Sequence, residues 1–537
     1  MTNMILYNGK IYTQDAGFPR ATALAVSDGR LLAVGTDPDM RSMAGPKTRQ
    51  IDLDGCLVLP GLTDSHFHYY DWALGRRQLD LTRAASLSDL RKQLAGVVEE
   101  TPSGQWIVGQ GWNEIRWPEP RIITRFDLDD LTPAHPTILW RSDMHLAVAN
   151  SLALQAAKIT AQTQAPPQGV IDRDASGRPT GVLRELAINL VKEVIPPPQE
   201  DELLESMREG FSQLHRLGLT GVHDYRIMGG EDGQPAFRAY QRLQAAGRLP
   251  MRLWMLLPGE HLDRAIAMGL RTGFGDDRLR VGHVKFFSDG GQGARTAWML
   301  EPYEDTGTCG MPLKPMEELV DAIHRAHMAG LAVAVHAIGD RANRELVHAF
   351  ERVLKEANDP NKVAPLAPHR IEHVQNIRPE DVLRLGQLGV VASVQPLHVP
   401  DDFPMIEQSV GPRGRWAYPF RDLLKAGVTL SLGSDCPVAD PNPLWGIHAA
   451  VTRQRRDGTP NGGWYPNQRL TVADAVWGFT MGPALSSGQS SRLGSISPGK
   501  LADLVVLDRD IFTIDPMEIA QTQVVMTIFD GQVVFGD

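Results

Sequence analysis

Cysteine is scarce. Three thiols in 537 residues (Cys56, Cys309 and Cys436) make no disulfide framework, and no CxxC pair offers thiolates to a metal. Reduced thiols in a cytoplasmic protein are the expectation that follows. Long apolar runs are also missing, since no stretch approaches the ~20 residues that a membrane helix needs. The opening MTNMILYNGKIYT has no cationic segment leading into a long apolar one, so no secretory leader is expected. Positive charge is in deficit: 54 Lys and Arg face 64 Asp and Glu, for a net charge of −10. The basic residues are dispersed, which speaks against nucleic acid or an anionic membrane as partner and leaves a small molecule. A glycine-rich phosphate loop is lacking too, which removes nucleotide chemistry.

What is present is a repeating grammar of short apolar runs. MILYNGKIYT and ATALAVSDGRLLAVG near the start, and ADLVVLDRD and VVMTIFDGQVVFGD near the end, read as short strands with NG and DG hairpin turns. Strands at both ends can pair, so residues 1–60 and 485–537 are expected to form one discontinuous small β-sandwich domain. Between them, strand-like runs recur at LVLPGLTDSH, TGVHDY, RLWMLL, VGHVKFF, AVAVHA, HRIEHV, VVASVQP and LSLGSD. Helix-like stretches that end in glycine, such as PMEELVDAIHRAHMAG, separate them. Eight strands alternating with helices predict an α/β fold, a (β/α)8 TIM barrel over residues 61–484. The first interval is far longer than a crossover helix requires, so a large insertion is expected after the first barrel strand, at about 76–200.

GLTDSHFHYY places His66 and His68 one residue apart at the end of an apolar run. On a strand, positions i and i+2 share a face, so both imidazoles can reach one ion. In a barrel the chemistry lies at the carboxyl ends of the strands. Those ends carry His66 and His68 on the first strand, Lys285 on the fourth, His336 on the fifth, His373 on the sixth and Asp435 on the eighth. Any one of them has a bland reading; a lone strand lysine usually snorkels at an edge. Six at the ends of five separate strands are harder to dismiss.

This order, with PGLTDSHFH, GQGWNE, RSDMHLAVANSLAL, GLTGVHD, VKFFSDG, VHAIGDRA, RIEHV, SVQPLH, LGSDCPV and PGKLADLVVLD, resembles the amidohydrolase superfamily. The finer features are similar to its YtcJ-like branch, amidohydrolase family 3, which includes N-substituted formamide deformylases. The resemblance implies that His66 and His68 hold one divalent metal and that His336 and His373 hold a second. Lys285, carboxylated by CO2, would bridge them, and Asp435 would ligate a metal and hydrogen-bond its water. Zinc suits such donors, in one or two ions, as do iron, manganese and cobalt. Metal-activated hydroxide would then cleave an amide, N-formyl or related C–N bond, with Asp435 relaying the proton. An esterase or lactonase, a decarboxylase, or a non-catalytic binding protein are the alternatives, and the family admits a homodimer. Around the metals, Trp112 and Tyr69 are expected on the pocket wall, with Trp106 in the core of the insert. His145 and His398, in segments typical of the family, are expected to contact substrate. Asp289 is expected to orient the lysine or the neighbouring turn, and His283 and His369 to be packed deeper. The aromatic rim suggests an apolar or aromatic substrate.

Overall fold

The computed structural model describes residues 2–356 and 364–536. Its centre is an eight-stranded parallel sheet whose strands follow chain order: β1 (Leu62–Phe67), β2 (Leu219–Asp224), β3 (Arg252–Pro258), β4 (Leu279–Phe287), β5 (Val333–Ala337), β6 (Arg370–His373), β7 (Val391–Val394) and β8 (Leu430–Leu432). Every apolar run expected to be a barrel strand falls on one of them. These runs are rich in Val, Ile and Leu, and their faces are buried on both sides, as a sheet wrapped by helices requires. The helix Asp340–Glu356, for example, lays Leu346, Val347, Phe350 and Val353 onto the barrel at helical spacing.

The ring nearly closes between β8 and β1. Phe67 bridges to Cys436, and the buried Asp64 carboxylate accepts from the N–H groups of both His66 and Ser434 at 3.0 Å. Gly433 belongs to this seam because a Cβ there would lie 2.5 Å from the His66 nitrogen.

The termini build two further sheets. One has four strands, all from residues 4–52. The other has six, and joins Lys10–Tyr12, Arg20–Ala21 and Leu57–Pro60 to Leu504–Leu507, Val524–Phe529 and Gln532–Phe535. Leu6, Leu24 and Val26 of the first share one apolar cluster with Val58, Leu504 and Ile528 of the second. Asp503 ties them to the barrel by pairing with Arg252 of β3 at 2.7 and 2.9 Å.

The long first interval carries a six-stranded sheet of its own, from Leu79–Asp80 to Pro179–Glu185, packed against the helix Leu87–Glu100. Two of its strands, Thr137–Arg141 and Pro179–Glu185, end at the barrel rim beside the site.

Candidate metal centre

β1 ends at Phe67, and His68 starts the helix Tyr69–Gly75. Phe67 is buried in the core, while His66 Nε2 and His68 Nε2 lie 3.3 and 3.2 Å from Asp435 Oδ1. Asp435, three residues beyond β8, has a left-handed backbone at φ 61° and donates its N–H to the His66 carbonyl at 2.7 Å. His373 and Val374 are left-handed too, at φ 71° and 44°. Such conformations cost non-glycine residues on the order of 1–3 kcal/mol each and survive where the surroundings enforce them. Here they aim side chains: His373 Nδ1 meets Gln395 Oε1 at 2.9 Å and lies 3.9 Å from Asp435 Oδ2.

Ligand atoms of His66, His68 and Asp435 all lie within 4.8 Å of one another, as do those of His373, His398 and Asp435. His66 Nε2, His68 Nδ1 and His398 Nε2 are buried without a hydrogen-bond partner. Orphaned polar atoms of this kind are costly, and a cation set among them relieves the cost. The donor set, imidazole and carboxylate, therefore fits a divalent transition metal. Burial is the main reason that His66 is pushed down to about 4, and that His336 and His373 fall well below the usual imidazole value. Lys285 lowers all three further. Neutral imidazoles keep the lone pair that a metal needs.

Lys285 is buried on β4, its ammonium 4.9 Å from the Tyr225 ring centroid and 4.6 Å from that of Phe287. It lines the same cavity as His66, His68, His336, His373 and Asp435. Burial lowers it to about 8, against the pull of Glu372 and Asp435. His336 stands a step back, its ring 4.6 Å from that of His373 and its Nε2 3.4 Å from the Gly290 carbonyl. Asp289 serves the neighbouring turn. It accepts N–H bonds from Ile338, Gly339 and Trp298 at 2.8–3.1 Å, clamping the turn after His336.

Among the residues expected to meet substrate, His145 lines the cavity beside the cluster, its ring 5.5 Å from that of His336 and its Nδ1 2.8 Å from Glu185 Oε2. Burial opposes its charge, yet Glu185 and Asp143 raise it to about 9. His398 also lines the site, within ligand reach of His373 and Asp435.

Trp112 and Tyr69 do not belong to the pocket wall. Trp112 is fully buried in the core of the insert beside Trp117, donating to the Leu139 carbonyl at 3.3 Å. Tyr69 begins a helix whose first turn carries its ring away from the metal pair. It stacks on Phe211 at 4.5 Å, and its hydroxyl donates to the Met207 carbonyl. Trp140, Met144, Ile188, Ile227, Met228 and Phe287 supply the apolar wall instead. His283 and His369 are buried away from the cluster, bonded to Trp254 and Pro368 and to His327 and Val333 respectively.

Sequence reasoning missed a buried assembly beneath the cluster. Glu372 Oε2 meets His66 Nδ1 at 2.8 Å, and its Oε1 accepts from the Tyr225 hydroxyl at 2.7 Å. Arg370 lies 3.0 Å from Glu372 and donates to the Ser65 carbonyl at 2.8 Å and the Ser393 hydroxyl at 2.6 Å. Burial disfavours the Glu372 charge, but Arg370 and His66 hold it well below the usual carboxylate range. A carboxylate on Nδ1 fixes the tautomer that leaves Nε2 free for a metal. The signal was in RIEH: Arg370 and Glu372 are two apart and share a strand face.

Comparison with known proteins agrees with this geometry. YtcJ of Bacillus subtilis is 32% identical over 99% of both chains. The N-substituted formamide deformylase of Arthrobacter pascens is 29% identical over 99% of this chain and 98% of its own. The crystal structure of a metal-dependent hydrolase from Pyrococcus horikoshii superposes with a TM-score of 0.76 at 28% identity, covering 96% of this chain and 99% of the other. The sequence profile of the amidohydrolase family matches residues 49–535, and with the histidine and aspartate cluster at the barrel rim it settles the assignment: the chain belongs to the amidohydrolase family and is a metal-dependent hydrolase of carbon–nitrogen bonds.

Proposed function

We propose that this enzyme hydrolyses the amide or N-formyl bond of a small substrate bearing an apolar group, with zinc as its metal. The observation that carries the reading is the pair of buried ligand clusters that share Asp435, with His66 and His68 in one and His373 and His398 in the other. His66, His68 and Asp435 would hold one ion, and His373 and His336 would hold a second, with Lys285, once carboxylated, within reach of both sets. For that, the free Lys285 amine adds to CO2, forming an N–C bond and releasing a proton, and the buried cation becomes an anion. The lowered lysine and its place on the common wall support this assignment. When bound, the metal polarises the carbonyl and can lower the pKa of water from 15.7 to about 7. Asp435 receives the proton of the attacking water and hands it to the departing nitrogen, a relay worth about 10²–10⁴-fold. His145, cationic beside Glu185, donates to the carbonyl oxygen as negative charge develops there. The free state of Cys56, Cys309 and Cys436 supports a reducing, cytoplasmic setting.

Metal analysis by mass spectrometry, together with a panel of N-acyl and N-formyl amines, tests this. The expected result is bound divalent metal, amine release, and a loss of about 10²–10⁴-fold in kcat for Asp435→Asn. Metal stoichiometry in His336→Ala and His398→Ala decides which histidine completes the second position. Ester cleavage that outpaces amide cleavage, or CO2 released without amine, replaces the reading with an esterase or a decarboxylase.

A further inference from the structure

Two cavities meet at the cluster. The outer one, about 1250 Å³, opens between the insert and the barrel rim and is lined by charged side chains that include Arg76, Arg141, Asp401, Asp402, Arg455 and Arg456. The inner one, about 100 Å³, reaches His66, His68 and Lys285, which do not line the outer cavity. Asp143, Met144, His145, His336, His373, Asp435, Pro437 and Val438 line both and form the neck between them.

The two sides differ chiefly in size, and one side of the inner chamber is apolar. Trp140, Ile188, Ile227, Met228 and Phe287 give the inner chamber an apolar wall. Trp140 and Ile188 belong to a packed apolar cluster of the insert, which makes that part of the wall stiff. Asp71 and Lys192 also face the chamber, as an ion pair 3.6 Å apart that cancels its own charge. On the outer side, Arg141 is 3% exposed and keeps its Nη2 without a partner, although Glu114 and Asp143 hold its other nitrogens. That leaves a donor for an acceptor on the substrate.

We infer that the scissile bond lies across this neck, with a compact apolar arm in the inner chamber and a polar, acceptor-bearing arm of little-restricted size in the outer cavity. The substrate class is an amide with one short aliphatic flank and one polar flank. An apolar cavity of about 150 Å³ takes benzene, so a chamber of about 100 Å³ limits the inner arm to about four carbons. This assignment rests on the hydrolase reading above.

The test uses the zinc-loaded protein and two substrate series. In one the acyl group grows from formyl through acetyl, butanoyl and benzoyl to naphthoyl on a fixed polar amine. In the other the amine grows in the same way on a fixed acyl group. One series should gain up to about tenfold in kcat/KM per added methylene until the chamber is full, then lose at least about 100-fold for a fused bicycle. The other should stay nearly flat. Ile188→Ala should move the break to larger groups and Ile188→Phe to smaller ones; as a ratio between substrates, this reading is insensitive to partial unfolding. Crystals under xenon pressure should show xenon against Trp140 and Ile188, lost in Ile188→Phe. Equal tolerance in both series, a break that neither substitution moves, or no xenon at that wall overturns the inference. Xenon bound with no compound cleaved upholds the chamber and overturns the hydrolase reading.

Discussion

His66 and His145 each turn Nδ1 to a glutamate oxygen at 2.8 Å, Glu372 in the barrel and Glu185 in the insert. Yet His66 is pushed down to about 4 while His145 is raised to about 9. Burial opposes a charged ring in both, so the difference comes from third parties. Arg370 already answers the Glu372 charge, and Lys285 adds a second cation beside His66. Around His145 the further charges are the anions Asp143 and Asp435, while Glu185 is otherwise held by the neutral Thr296 hydroxyl and the Gly291 N–H. A carboxylate neighbour alone does not charge a histidine; the net field does. The consequence is chemical: a neutral ring keeps a lone pair for an ion, and a protonated ring has only donors to offer. One contact thus serves two tasks in a single site.

Breaking the first pair has the largest expected effect. Glu372→Gln leaves the Arg370 guanidinium buried with no opposite charge, which costs about 3–5 kcal/mol. The same substitution frees the His66 ring and should weaken metal affinity about 10–100-fold. Chemical denaturation of the metal-free protein and competition with a chelator read the two effects separately. Unchanged affinity alongside lost stability would mean that Glu372 serves Arg370 alone, and the parallel with Glu185 would end there.

Glu185→Gln is the gentler cut, about 1.5–3 kcal/mol for a hydrogen bond to a charged group. Its pH dependence sharpens the comparison. His145 has a folded value raised to about 9 above an unfolded value near 6.5, so the stabilisation it confers is complete below about 6.5 and is lost as pH rises through about 9. The stability gap between wild type and Glu185→Gln should therefore be widest near pH 6 and close towards about pH 10. NMR titration of the metal-free protein should find the His145 midpoint lowered in the variant and that of His66 unmoved. A gap that stays constant with pH would show His145 neutral throughout.

The legible part of this protein was the part written in period. Apolar runs at regular intervals gave the barrel strands, because both faces of a barrel strand are dry and the run is continuous. The ligand candidates followed, since His66, Lys285, His336 and His373 sit within two residues of strand ends. What escaped depends on broken alternation. Glu372 and His373 are adjacent and belong on opposite faces of a regular strand, yet both face the site, because the backbone turns left-handed at His373 and Val374. No spacing rule anticipates that turn. Glu185 escaped for a different reason: it meets His145 only after the strands of the insert have paired, Leu146 opposite Arg184.

Tyr69 is where adjacency misled, and it supplies the smallest expected effect. Next to His68 in sequence, it is expected on the pocket wall, but the chain changes from strand to helix at that point. Successive residues of a helix are turned by 100°, and the ring leaves the rim for the gap between the helices Tyr69–Gly75 and Glu200–Arg216. Tyr69→Phe should then cost about 1 kcal/mol, the worth of one hydrogen bond to Met207, and leave KM unchanged. Denaturation and steady-state kinetics on one substrate suffice to check it. A rise in KM with little loss of stability would mean that Tyr69 reaches the substrate after all, and would extend the inner chamber beyond the wall drawn by Trp140, Ile188 and Met228. The same logic holds for Trp112, whose indole N–H is already committed to Leu139 and has no donor left for a ligand.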